Sequence, residues 1–250
     1  MNDMIKAKDY AKLASISPDL IIECQKKSPN NWQDYVAVTV GIQRTDNTNE
    51  KTNKKVREAL YQQLDNGIDF KVLNWTSIDK GIKKNAQNCY KLLERYPFYT
   101  PGKYLFPIKI KSYYSDTYGA AREGGNRQHE GTDIFNEKGT PIFCVCDGFV
   151  EKSGWNRLGG ERVGIRGKDG NYYYYAHLDK INEKLAVGDP IKMGDLIGTM
   201  GNTGDALTTP DHLHFGIELP NGKWVNPYAW LKVWEHNSDS TIVFNVVNKS

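Results

Sequence analysis

Apolar positions fall every three or four residues through the first hundred residues, and then the rhythm changes. "DYAKLASI", "PDLIIECQKK", "WQDYVAVTVGIQ", "NKKVREALYQQLDNGI" and "IKKNAQNCYKLLERY" each put an apolar stripe along one side of a helix. Ser17 followed by Pro18 suits a helix start, where proline's missing N–H costs nothing. Gly67 suits a stop after "QQLDN". The polar run "RTDNTNEKTNKK" reads as a loop, and Pro97 and Pro101 close the helical stretch. A helical accessory domain is therefore expected over residues 1–103.

From residue 104 onward, short β-rich runs alternate with glycine-bearing turns: "PIFCVCDGFVEKSGW", "ERVGIRGKDGNYYYYAHL", "DPIKMGDLIGTMG" and "HLHFGIEL". "KDGN" is a good hairpin turn between two of them. The expected fold class is α+β: an N-terminal helical region, then a mainly antiparallel β domain over residues 104–250. The Gly188-Asp189 and Gly194-Asp195 steps around one short strand are similar to the hairpins of biotin- and lipoate-carrying barrels. Lys192 in "IKMG" is a poor match to the tight turn that presents their modified lysine.

Composition narrows the function classes. An apolar fraction of 39% and a charged fraction of 25% describe a globular chain rather than a disordered one. A net charge of +3 is too weak to argue for nucleic acid. Residues 1–103 hold 17 Lys+Arg against 12 Asp+Glu, and residues 104–250 hold 16 against 18. The basic front half suits an anionic surface such as a bacterial wall, or is simply a solvated helix face. No run approaches the roughly 20 apolar residues of a membrane span, and "MNDMIKAKDY" has no apolar signal core. The protein is thus expected either to stay inside the cell or to have lost an export segment. Four cysteines make no disulfide framework at this length. Cys144 and Cys146 read as two small buried strand residues, and Cys24 and Cys89 could pair.

Histidine placement changes the picture most. Four of the five histidines, His129, His177, His212 and His214, lie in the β-rich part, while His236 has no supporting pattern and is expected to be exposed. In "DHLHF", strand alternation points His212 and His214 to one face and Leu213 and Phe215 to the core. In "RQHEGTD" the fourth position after His129 is Asp133, where a helical H-E-x-x-H would have a second histidine. On one extended strand the two would be about 13 Å apart, too far to share an ion. A turn at Gly131 brings them together. His129, Asp133 and one of the "HLH" pair then make a three-ligand set with an open position, the catalytic arrangement for zinc. His177, at the end of a tyrosine-rich strand, is either part of an amphipathic strand or, beside that metal, suits a proton carrier or a hydrogen-bond donor to the transition state.

The set "RQHEGTD", "GWNRLGGERV", "YYAHL", "VGDPIKMGDLIGTMGNTG" and "PDHLHF" resembles the lysostaphin/LytM-type zinc endopeptidases of bacterial peptidoglycan, over residues from about 104 to 232. The resemblance implies a β domain of the duplicated-hybrid-motif type. It implies Zn2+ held by His129, Asp133 and His214, with His177 and His212 as the catalytic pair, in an order the sequence leaves open. It also implies peptidoglycan peptides as substrate, a monomer, and an extracellular or wall-associated location in a bacterium. Glu130 becomes a bystander, and Arg122 with "EGGN" reads as a groove wall or a bare loop. Two rivals remain: a non-haem iron oxygenase, whose triad is usually H-x-D/E, and a wall- or partner-binding module that keeps the site without turnover. The helical front half could be a cap, a docking surface or a stabiliser.

Overall fold

The structure is a computed structural model that describes residues 2–45, 49–125 and 127–247. Helices α1 (Asn2–Ala14), α2 (Pro18–Lys27), α3 (Trp32–Gln43), α4 (Glu50–Asp65) and α5 (Lys80–Arg95) come first. Then follow β1 (Tyr113–Tyr114), β2 (Ala121–Arg122), β3 (Arg127–Gln128), β4 (Thr132–Phe135), β5 (Pro141–Phe143) and β6 (Gly148–Asn156). Strands β7 (Gly160–Gly167), β8 (Tyr172–Ile181), β9 (Pro190–Ile191), β10 (Leu196–Met200), β11 (His212–Glu218) and β12 (Trp224–Val225) lead to α6 (Tyr228–Val247). The chain divides into two compact units, Ser15–Tyr99 and Met1–Ala14 with Thr100–Ser250.

In the helical unit, α3 is mostly apolar and buried along most of its length, from Trp32 to Ile42. A Cβ at Gly41 would lie 2.6 Å from the Ala86 Cβ, so glycine lets α3 and α5 approach closely. Ser17 and Asp79 cap α2 and α5 through their side-chain oxygens. The expected polar loop is shorter than "RTDNTNEKTNKK". Asn49 accepts the Thr52 N–H at 2.8 Å and starts α4 at Glu50, because Glu and Lys are good formers of a solvated helix. Residues 46–48 of that run lie outside the described residues. Cys24 and Cys89 are separate buried thiols, not a disulfide.

In the β unit, one sheet runs β1-β4-β11-β8-β7-β6-β9, with β10 bridging β8 and β5 and β12 flanking β11, all antiparallel. Alternation along β8 and β11 sends Tyr173, Tyr175, Leu213, Phe215 and Ile217 into the core. Tyr172, Tyr174, His212, His214 and Gly216 fall on the opposite face. Helix α6 covers the core with Trp230 and Trp234, and Tyr10 of α1 meets Trp230 edge-on at 6.0 Å. No predicted element corresponds to α6: Trp230, Leu231, Val233 and Trp234 share one buried face, but the apolar run "TIVFNVV" after them blurs the stripe along the helix. Strand β5 stops at Phe143, and Cys144, Val145 and Cys146 are all buried beyond it, so the two cysteines do not alternate along a strand as expected.

Two loops at the edge of this sheet interlock through backbone. A Cβ at Gly160 would sit 2.4 Å from the Thr203 carbonyl carbon, and one at Gly204 would sit 2.2 Å from the Gly160 nitrogen. Gly204 also has φ +74°, a left-handed conformation that costs other residues about 1–2 kcal/mol. The Asp205 N–H donates to Leu158 O at 3.0 Å and the Glu161 N–H to Thr203 Oγ1 at 2.9 Å. Gly204→Ala should therefore destabilise by about 3 kcal/mol in urea unfolding, adding a backbone clash to the strain. Gly188→Ala, with φ +96° but open space around it, should cost only about 1 kcal/mol.

Candidate metal centre

Strands β4 and β11 lie side by side with Asp133 directly opposite His214 and Phe135 opposite His212. Ile134, Leu213 and Phe215 are fully buried, and Thr132 pairs with Phe215, so a one-residue slip would turn core residues outward. His129 precedes β4, where the chain bends at Gly131. A Cβ at Gly131 would stand 2.5 Å from Phe215 O and 2.7 Å from the His214 ring, so the bend needs glycine for close approach.

These elements bring three ligand atoms together. His129 Nε2 lies 2.9 Å from Asp133 Oδ1 and 3.0 Å from His214 Nδ1, and His214 Nδ1 lies 3.0 Å from the same Oδ1. Among the described residues this is the one group of three or more His, Cys, Asp or Glu close enough to share an ion. Cys144 and Cys146 are not part of it. His129 Nδ1 sits 3.0 Å from Thr117 O. A carbonyl only accepts, so Nδ1 carries a proton there and Nε2 faces the centre. Burial works against ionisation of Asp133, but the hydrogen bonds and charge of His129 and His214 hold its carboxyl far below the usual range. Its other oxygen, Oδ2, accepts from Arg122 Nη2 at 2.5 Å.

The other two histidines stand beside this group. The His177 ring centroid is 4.9 Å from His212 and 5.9 Å from His214, and His212 Nε2 is 3.9 Å from Asp133 Oδ1. His212 Nδ1 donates to Pro210 O and His177 Nδ1 to Thr203 O, both at 2.8 Å. Each therefore keeps a basic Nε2. Burial, with the two neighbouring imidazoles, pushes His177 down to about 4 against the pull of Thr203 O, so it is neutral near pH 7.

His177 reaches the cleft by a local violation of strand parity. Alternation from Tyr173 and Tyr175 would bury it. Instead Glu161 pairs with Leu178 while Val163 pairs with Tyr175, so β8 holds one extra residue, and His177 has φ +62°. This bulge turns Ala176 and His177 both to the cleft and returns Leu178 to the core. Sequence reasoning singled out His177 but had no signal for the bulge. Thr117, Thr203 and Pro210, which orient three imidazoles through backbone oxygens, carry no residue-type signature either. His236 is half-buried in α6 and outside the cleft, not exposed as expected. Glu130, Arg122, Arg127, Leu158, Tyr174, Asp205 and Trp224 also line the cleft. Asn126 lies outside the described residues.

Residues 127–227 match peptidase family M23. The chain is 41% identical to the L-Ala–D-Glu endopeptidase of Bacillus subtilis (strain 168) over 156 residues, covering 58% of this chain and 48% of that one. It is 38% identical to the glycyl-glycine endopeptidase ALE-1 of Staphylococcus capitis over 136 residues, covering 52% and 36%. The chain thus spans less than half the length of these curated relatives. A crystal structure from Ruminococcus gnavus ATCC 29149, described as a candidate glycyl-glycine endopeptidase LytM, aligns with TM-score 0.58 and 29% identity over 90% of this chain and 89% of that one. That likeness extends into the helical unit as well as the β unit.

The left-handed φ at His177 gives a stability test. With the ring gone, glycine tolerates that backbone better than alanine by about 1 kcal/mol. In urea unfolding of metal-free protein, His177→Gly should be more stable than His177→Ala by that margin.

Proposed function

We propose, from the premise that residues 127–227 form a peptidase family M23 domain, that this chain is a zinc-dependent endopeptidase acting on the peptide part of bacterial peptidoglycan. The observation that carries the reading is a convergent His129–Asp133–His214 group with two further histidine Nε2 atoms facing the same cleft. The activities for which the relatives are named, on an L-Ala–D-Glu bond and on glycyl-glycine bonds, support the substrate class. A wall-associated location follows from that substrate. No helix among the described residues is long and apolar enough to cross a membrane.

The donor set fits zinc. Three acceptor atoms form a triangle 2.9–3.0 Å on a side. One shared proton serves at most two of those three contacts, whereas a cation serves all of them. Bonds of about 2.0–2.2 Å in a tetrahedron need edges of roughly 3.3–3.6 Å, a few tenths of an ångström wider than the triangle. His129, Asp133 and His214 would hold the ion and leave a position open toward the cleft. Zinc there supplies Lewis acidity toward a carbonyl oxygen and a water.

The remaining work falls to this chain's own groups. His177 and His212 each give an Nδ1 proton to a backbone oxygen, so each turns Nε2 to the cleft as a proton acceptor. Between them they take the proton of the attacking water and return it to the leaving amine. The backbone bonds to Thr203 and Pro210 keep both rings from turning away. Arg122 holds Asp133 Oδ2 and so presents Oδ1 to the centre.

The site assignment predicts a split between the two "HLH" histidines. His214→Ala should lose stoichiometric metal and activity together. His212→Ala should keep one equivalent of metal by elemental analysis and lose about 10²–10⁴ in turnover. Metal loss from His212→Ala, with retention by His214→Ala, would reverse the assignment.

A further inference from the structure

The short hairpin β2–β3 stands off the main sheet and places two arginines directly opposite each other, Arg122 against Arg127. Like charges at such a cross-strand pair lie with Cβ atoms about 5 Å apart and repel, which destabilises a ladder of two residues per strand. Both side chains line the cleft beside His129 and Asp133, and both remain accessible, Arg122 at 38% and Arg127 at 41% of the side chain.

Both guanidinium groups meet an acid. Arg122 Nη2 meets Asp133 Oδ2, and Arg127 Nη2 meets Asp205 Oδ2 at 3.2 Å across the cleft. Asp133 is also in the three-ligand group, so a divalent cation drawing on that carboxylate leaves Arg122 less compensated. The Arg127–Asp205 pair is solvent-exposed and therefore weak enough to exchange for another carboxylate. The lining also holds the acids Glu130 and Asp205 and an aromatic pair. Tyr174 and Trp224 meet edge to face at 5.9 Å, and Gly159 and Gly216 leave room for their rings. One wall of the cleft is thus built to read negative charge, and a forked guanidinium matches a carboxylate in geometry as well as sign.

We propose that Arg122 and Arg127 form a carboxylate clamp that makes the cleft select peptides bearing a free carboxylate on the residue next to the scissile amide. This rests on the endopeptidase reading above. A stem peptide with a glutamyl residue at that place satisfies the clamp, whereas a glycine bridge offers it no charge.

The test uses the full chain loaded with zinc, and two synthetic stem peptides that differ only in a glutamyl carboxylate against its carboxamide. Calorimetric binding to the His212→Ala protein separates recognition from turnover. The carboxylate peptide should bind about tenfold or more tightly than the carboxamide, the scale of charge-assisted hydrogen bonds. Arg127→Gln should bring that ratio to within about threefold of one, and Arg127→Lys, which keeps the charge and loses the fork, should leave part of it. A wild-type ratio near one overturns the clamp. So does a ratio unchanged in an Arg127→Gln protein with a normal circular-dichroism melt, or failure of both peptides to bind at millimolar concentration. If the zinc-loaded wild type cleaves neither peptide nor purified peptidoglycan, the endopeptidase reading falls, and the binding ratio still decides the clamp.

Discussion

The register between β4 and β11 is the constraint on which the site depends. Asp133 faces His214 across that pair only because Ile134, Leu213 and Phe215 are fixed in the core on the other side. Side-chain direction has a period of two in a strand, so the core residues and the ligand residues are set by the same choice. Burying the apolar set correctly therefore assembles two of the three ligands. The third, His129, is brought in by the bend at Gly131, whose missing Cβ lets it lie against Phe215 O and the His214 ring.

Around that fixed pair, the backbone tells each imidazole which nitrogen to use. Thr117 O, Thr203 O and Pro210 O each take an Nδ1 proton, leaving His129, His177 and His212 with inward-facing Nε2 atoms. His214 is turned the other way and presents Nδ1. The bulge in β8 and the left-handed φ of His177 belong to the same economy of placement: local strain delivers a side chain where regular pairing would bury it.

Much of this was legible in the sequence, and the reasons are specific. Alternation in "HLH" gave both faces of β11, and the 13 Å reach of an extended "HEGTD" required the bend at Gly131. The α3 boundaries follow directly from its apolar run, Trp32 to Gln43. Other features left no trace in residue type. A bulge at His177 is a matter of pairing count, visible only once β7 and β8 are aligned. Backbone carbonyls that orient imidazoles have no sequence signature. Helix α6 hid because the apolar run in its second half, "TIVFNVV", blurs the stripe set by Trp230 and Trp234, and the start of α4 hid because its first turns are solvated lysine and glutamate. The Arg122–Arg127 pair became visible only when the hairpin placed them opposite one another.

The most direct test of the account is mass spectrometry of fragments released from purified peptidoglycan by zinc-loaded and chelator-stripped protein. The account predicts fragments that gain one water at a peptide amide, formed only with metal and restored when zinc is returned to the stripped protein. Cleavage at glycosidic bonds, or equal release without metal, would contradict it.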